Sequence, residues 1–160
     1  MPAGSDPVQT PALPHTFRPL GVRIAVTVLG VMLFGITALA WLLFPPHIRA
    51  EFTVTERATV LLIAAALLAS GYALARSRVV ARQTGVTVVN GYRSRTLHWN
   101  EILTVTLRRG SPWVVMDLSD GTSQAVMGIQ GSDGGYAVKQ VRMLRVLVEE
   151  MTRPEDDTSS

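Results

Sequence analysis

The chain is 160 residues long, 48% hydrophobic and only 17% charged, with a formal net charge of +3. That length holds one small soluble domain beside any other element, and the lack of cysteine excludes disulfides, thiolate nucleophiles and cysteine-ligated metals. A typical soluble domain is about a quarter charged. Here the deficit is confined to two uncharged stretches, which account for the positive mean hydropathy of +0.27.

Residues 1–19 contain Pro2, Pro7, Pro11, Pro14 and Pro19 and no hydrophobic period. Proline removes a backbone donor and blocks both helix and ladder, so this segment is predicted to be a disordered tail. Residues 20–76 read as a hairpin of two transmembrane helices. The first covers 24–44, which carries no charge and spans about 31 Å as a helix, close to the hydrocarbon thickness. Trp41 and Phe44 sit at its end, where interfacial aromatics are favoured, and Pro45-Pro46 stops it. A cleaved signal peptide is the rival reading, because Ala38-Leu39-Ala40 matches a small-x-small cleavage pattern. The apolar run continues through Trp41–Phe44, which is poor context for a cut.

The second helix covers 58–75, uncharged between Arg57 and Arg76. It spans about 27 Å, enough if the flanking arginines extend to the interface. Ala65, Ala69 and Ala73 recur at every fourth position, a stripe that permits close helix approach, either to Gly30 and Gly35 of the first helix or to another protein. Arg18, Arg23, Arg76, Arg78 and Arg82 flank the hairpin on one side, against Arg49 and Arg57 in the connection. The excess of positive charge predicts a multi-pass protein of the bacterial cell membrane, with both termini and the following domain in the cytoplasm.

From 77 to 153 the texture changes to short Val-, Thr- and Ile-rich segments broken at Thr84-Gly85, Asn90-Gly91 and Asp120-Gly121. Strands are predicted at 79–83, 86–90, 92–99, 102–108, 113–119 and 122–129. Leu103, Val105 and Leu107 alternate with polar residues, as do Val114, Met116 and Leu118, so both triplets are expected to face a core. Arg93 and Arg95 share parity with Leu97 and Trp99, which predicts a bulge or a strand leaving the core. The period then shifts. Ala137, Val141, Leu144, Val148 and Met151 form the apolar stripe of a helix, with Asp133 as expected N-cap. Residues 154–160 read as a second disordered tail. The soluble part is thus expected to be a small α+β domain, a pleckstrin-homology (PH)-like antiparallel barrel or sheet closed by a C-terminal helix.

Gly85-Val86-Thr87-Val88, Leu97-His98-Trp99-Asn100-Glu101-Ile102, Pro112-Trp113 and Asp120-Gly121, placed after two apolar helices, resemble the bacterial PH-like domain membrane proteins of high-GC Gram-positive bacteria. The similarity is greatest to the group related to low-molecular-weight protein antigen 6. It covers roughly Leu20 to Met151, and the Trp-x-Glu-Ile turn is its most specific part. The resemblance implies a PH-like fold and a membrane location and brings no catalytic residue set.

His15, His47 and His98 are scattered, with no metal-ligand spacing. Gly134-Gly135 fits neither a P-loop nor a dinucleotide fingerprint. No nucleophile elbow or carboxylate pair appears, so an enzyme, a cofactor and a metal are not expected. Between Arg76 and Arg153 eleven basic residues face six acidic ones. Arg76, Arg78, Arg82, Arg93 and Arg95 are the candidate surface for anionic inner-leaflet lipid, and Trp113 with Val115 is a candidate apolar patch for a protein partner. Nucleic acid is not expected, because aromatic interleaving is absent. The expected function is a non-enzymatic, membrane-anchored interaction module. The alternative is a small accessory subunit of a larger membrane complex, with the hairpin as its interface.

Overall fold

A computed structural model describes residues 11–153 and divides the chain into two units. One is Leu20–Arg76; the other is built from the segments before and after it.

The first unit is helical: α1 (Gly21–Leu43), α2 (Pro46–Glu51) and α3 (Val54–Ala75). Proline has no N–H to donate and restricts the residue before it, so α1 ends at Leu43 and Phe44 turns to extended backbone. Thr53 then starts α3 through a capping box: its hydroxyl accepts from the Glu56 N–H at 3.3 Å, and the Glu56 carboxylate accepts from the Thr53 N–H at 2.8 Å. Cap chemistry therefore carries α3 four residues further N-terminal than its uncharged run. At the connection, Trp41 meets Phe52 edge-on at 5.7 Å, and the Arg57 guanidinium lies 5.4 Å from the Trp41 ring centre while donating to the Arg49 carbonyl at 2.9 Å. The two long helices have no buried residue. They meet where Gly71 faces Val26, with room for only a tight Cβ 3.0 Å from Val26 Cγ1. Of the small-residue stripe, Ala65 and Ala69 are exposed and Ala73 is half-buried, and the groove between the two helices is lined on the α3 side by Leu67, Leu68 and Gly71.

The second unit has seven strands and one long helix. β1 (His15–Phe17), β2 (Arg78–Arg82), β3 (Gly85–Asn90) and β4 (Arg93–Leu97) form one antiparallel sheet in that order. β5 (Ile102–Thr106), β6 (Trp113–Leu118) and β7 (Ser123–Gln130) form another, and α4 (Gly135–Thr152) closes the core with Ala137, Val141, Leu144 and Leu147. Six strands lie where the alternation predicts them.

β1 corrects the reading of 1–19 as wholly disordered. His15, Thr16 and Phe17 pair with Ala81, Val80 and Val79, and Phe17 is fully buried. A single large aromatic side chain outweighs the local proline content, because burying it recovers about 2–3 kcal/mol of apolar transfer energy. The Gln140 amide adds a bond from α4 to the Arg18 carbonyl, 3.3 Å. The helical unit is thus an insertion between two adjacent strands of one sheet. Residues 1–10 and 154–160, read as disordered ends, lie outside the described residues.

The closed barrel is not formed. Among the described residues no backbone ladder joins the two sheets. Between β4 and β5 the chain leaves extended geometry in a short 3-10 turn, Trp99–Glu101, entered where Glu101 accepts from the His98 N–H at 2.6 Å. Trp99 is buried there, and its indole N–H is shared between the Arg82 and Gln83 carbonyls at 3.0 Å each, which ties β5's start to β2. On the other side a side chain replaces the ladder: the Asn90 amide donates to the Ala125 carbonyl at 2.6 Å and accepts from the Met127 N–H at 3.0 Å.

The second sheet has two irregularities, and one of them moves a predicted core residue. The β5–β6 register slips between Ile102 and Thr104, so Leu103 bulges out at 63% exposure while Ile102 and Val105 are buried. The β6–β7 register also slips after Trp113, and Val114, Met116 and Leu118 face the core as expected. α4 begins one residue after Gly134, which sits at φ +55° and ψ −125°, outside the left-handed helical region that Asp tolerates; Asp133 lies in a preceding 3-10 turn and is not the N-cap.

Candidate functional site

Within the sheet unit, the arginines singled out from sequence do not converge. Arg76 caps α3, its guanidinium 5.7 Å from the Tyr72 ring centre. Arg78 and Arg82 alternate with buried Val79 and Ala81, so both lie on the outer face of the first sheet, where Arg82 donates to the Thr87 hydroxyl at 3.2 Å. Arg93 and Arg95 are exposed too, yet they take the opposite side. Arg95 pairs with Val88, which pairs with core Val79. The β3–β4 ladder has no register shift, so of the two expected devices β4 uses the second: it leaves the core. Trp113 and Val115 are half-buried in the other sheet.

Arg95 forms an ion pair with Asp120 at 3.6 Å, half-exposed on both sides. Asp120 also accepts from the Thr122 hydroxyl at 2.6 Å and its N–H at 2.8 Å, closing the β6–β7 turn. The hydroxyl bond, then the N–H bond, and more weakly Arg95, hold the carboxyl below its ordinary value of 3.8. A depressed folded-state value means the contribution is present above the unfolded value and is lost as the pH falls through the folded one. In an NMR titration the Asp120 carboxyl carbon is expected to titrate below an unfolded-chain aspartate, and Thr122→Val to move it back up. An unchanged midpoint in Thr122→Val would contradict the assignment.

The structure instead builds a cleft from residues that periodicity passed over. β5 ends early, and Arg108–Ser111 forms a turn in which the Ser111 N–H donates to the Arg108 carbonyl at 3.0 Å. Gly110 supplies φ of +84° at the third position, as a type II turn requires, and Arg109 stands at the tip. Facing it is the Gly131–Asp133 turn that precedes α4. The Gly131 N–H donates to the Pro112 carbonyl at 2.9 Å, and a Cβ on Gly131 would lie 2.4 Å from the Ser111 carbonyl oxygen. The two turns are therefore fixed to each other. Between them lies a cleft of about 590 Å³ lined by Leu107–Pro112, by Gly131, Ser132 and Gly134, and by Val138. The Arg-Arg-Gly-Ser run between two strands is the sequence signal for it.

A second groove of about 380 Å³ runs between β5 and α4, where Arg145 Nε donates to the Val105 carbonyl at 2.6 Å and caps the strand edge. Among the described residues no cluster of three or more His, Asp or Glu can hold a metal.

Two packed antiparallel sheets, four strands then three, capped by a C-terminal helix, are consistent with a PH-like fold whose barrel is open rather than closed. The comparisons agree. Residues 76–146 match the family model described as a bacterial PH domain, a match that leaves out β1. Uncharacterised proteins of Mycobacterium bovis and Mycobacterium tuberculosis are each 34% identical over 74 residues, 46% of this chain. The chain spans about half the length of these relatives, 48%. No solved structure matches the chain at comparable significance.

Proposed function

We propose that the chain is a non-enzymatic, membrane-anchored interaction module. α1 and α3 cross the cell membrane as a hairpin, and the PH-like domain lies on the cytoplasmic side, presenting a surface to anionic inner-leaflet lipid or to a protein partner. One observation carries this reading: two apolar helices of 23 and 22 residues, neither with a buried residue, interrupt a domain that matches the bacterial PH family. Such surface is tolerated in lipid and not in water. The insertion supports the same-side placement of both ends, because β1 and β2 are neighbours in one sheet. A second reading, an accessory subunit of a membrane complex, is favoured by the exposure of Ala65 and Ala69.

Membrane fractions washed at alkaline pH test the anchor. The chain is expected to stay in the pellet and to be released only by detergent. Release by the wash alone would refute membrane insertion.

A further inference from the structure

We infer that the cleft between the Arg108–Ser111 turn and the start of α4 binds the phosphate of an anionic phospholipid headgroup. The inference deepens the proposed function and rests on its membrane anchor. Arg108 and Arg109 line the cleft together with Ser111 and Ser132, so it offers two fixed positive charges and two hydroxyl donors. No carboxylate is among its lining residues. Asp133, on the chain between Ser132 and Gly134, is half-buried. Arg108 acts weakly on Asp117, and neither arginine forms an ion pair among the described residues. The lining residues of the cleft therefore carry a net positive charge.

The site is also built before a ligand arrives. The Gly131–Pro112 bond and the lack of space for a Gly131 Cβ hold the two walls in register, so little ordering cost is left to binding. An apolar edge decides between a lipid and a soluble acidic peptide. Val138 lines the cleft together with Leu107 and is 45% exposed. Arginines next to an exposed valine suit a bilayer interface, where the apolar side chain reaches the acyl boundary and the charges meet phosphate.

The full chain is reconstituted in nanodiscs of phosphatidylcholine alone and of phosphatidylcholine with phosphatidylglycerol, and backbone hydrogen exchange is read over 107–112 and 131–138. Slower exchange in the phosphatidylglycerol discs is expected, with that difference lost in Arg108→Gln/Arg109→Gln and reduced at high salt. Both positions are exposed, and unchanged exchange over 78–90 verifies that the variant is folded. Equal exchange in the two discs overturns the inference. So does protection by a polyglutamate peptide in phosphatidylcholine discs with none from phosphatidylglycerol, which would assign the cleft to an acidic protein. A chain that fails to co-elute with discs refutes the anchor separately. The cleft is then read by the same criteria with phosphatidylglycerol vesicles added to the soluble chain.

Discussion

Replacing Phe17 by alanine is expected to destabilise the sheet unit by about 3–5 kcal/mol, the usual cost of emptying a buried aromatic site. Small domains have about 5–15 kcal/mol of stability in all, so the variant should be largely unfolded at a modest temperature. Phe17 is fully buried in a three-residue strand, packed in the same core cluster as Val79, Val88 and Leu144. No local propensity holds β1 in place; the side chain does. Phe17→Leu keeps most of the volume and should cost less than about 1.5 kcal/mol. The measurement is urea unfolding of the full chain in neutral detergent, followed through Trp99 and Trp113 fluorescence. A Phe17→Ala midpoint equal to wild type would mean that β1 is dispensable. The same side chain bears on processing: a cut after Ala40 would detach β1 from β2, so an intact hairpin and an intact sheet go together.

Gly128→Ala is the second large effect. A Cβ at Gly128 would lie 2.6 Å from the Arg78 carbonyl carbon, 2.7 Å from its Cα and 2.8 Å from the Val79 nitrogen. All three are backbone atoms, so no rotamer change relieves the clash. This is the crossing where β7 runs against β2, and it must open for the methyl group to fit. Overpacking usually costs about 1–3 kcal/mol, and a backbone obstacle puts this variant at the upper end. Gly135→Ala is the control: nothing lies within 4 Å of its Cβ position, and it should stay within about 0.5 kcal/mol of wild type. Equal stability of the two variants would show that the sheets do not cross as closely as described.

Period and turn chemistry made most of the domain legible. Alternation in Val114, Met116 and Leu118, the Asn-Gly and Asp-Gly turns and the stripe of α4 all reappear in the structure. What sequence could not convey depends on one residue acting at long range. Leu103 alternates correctly, but a slip in the β5–β6 register turns it outward. Asn90 reads as half of a hairpin signal, and it also bridges the two sheets through its side chain. Phe17 lies in a proline-rich segment with no period of its own, and only its partner strand, more than sixty residues on, gives it a place. For the site, counting arginines identified the basic character but not the geometry. Strand parity separates Arg78 and Arg82 from Arg93 and Arg95, while Arg108 and Arg109 gain their surroundings from a turn that approaches from β7.

The most direct test of the central claim is topology in intact cells. The chain has no native cysteine, so Ser94→Cys in β4 and Ala50→Cys in the helix connection are clean single probes, both exposed. Each is treated with a membrane-impermeant maleimide before and after permeabilisation. Opposite behaviour is expected: Ala50→Cys is labelled in intact cells, and Ser94→Cys only after permeabilisation. Labelling of both positions on the same side, or of Ser94→Cys in intact cells, would contradict a hairpin that crosses the membrane twice and a PH-like domain on the cytoplasmic side.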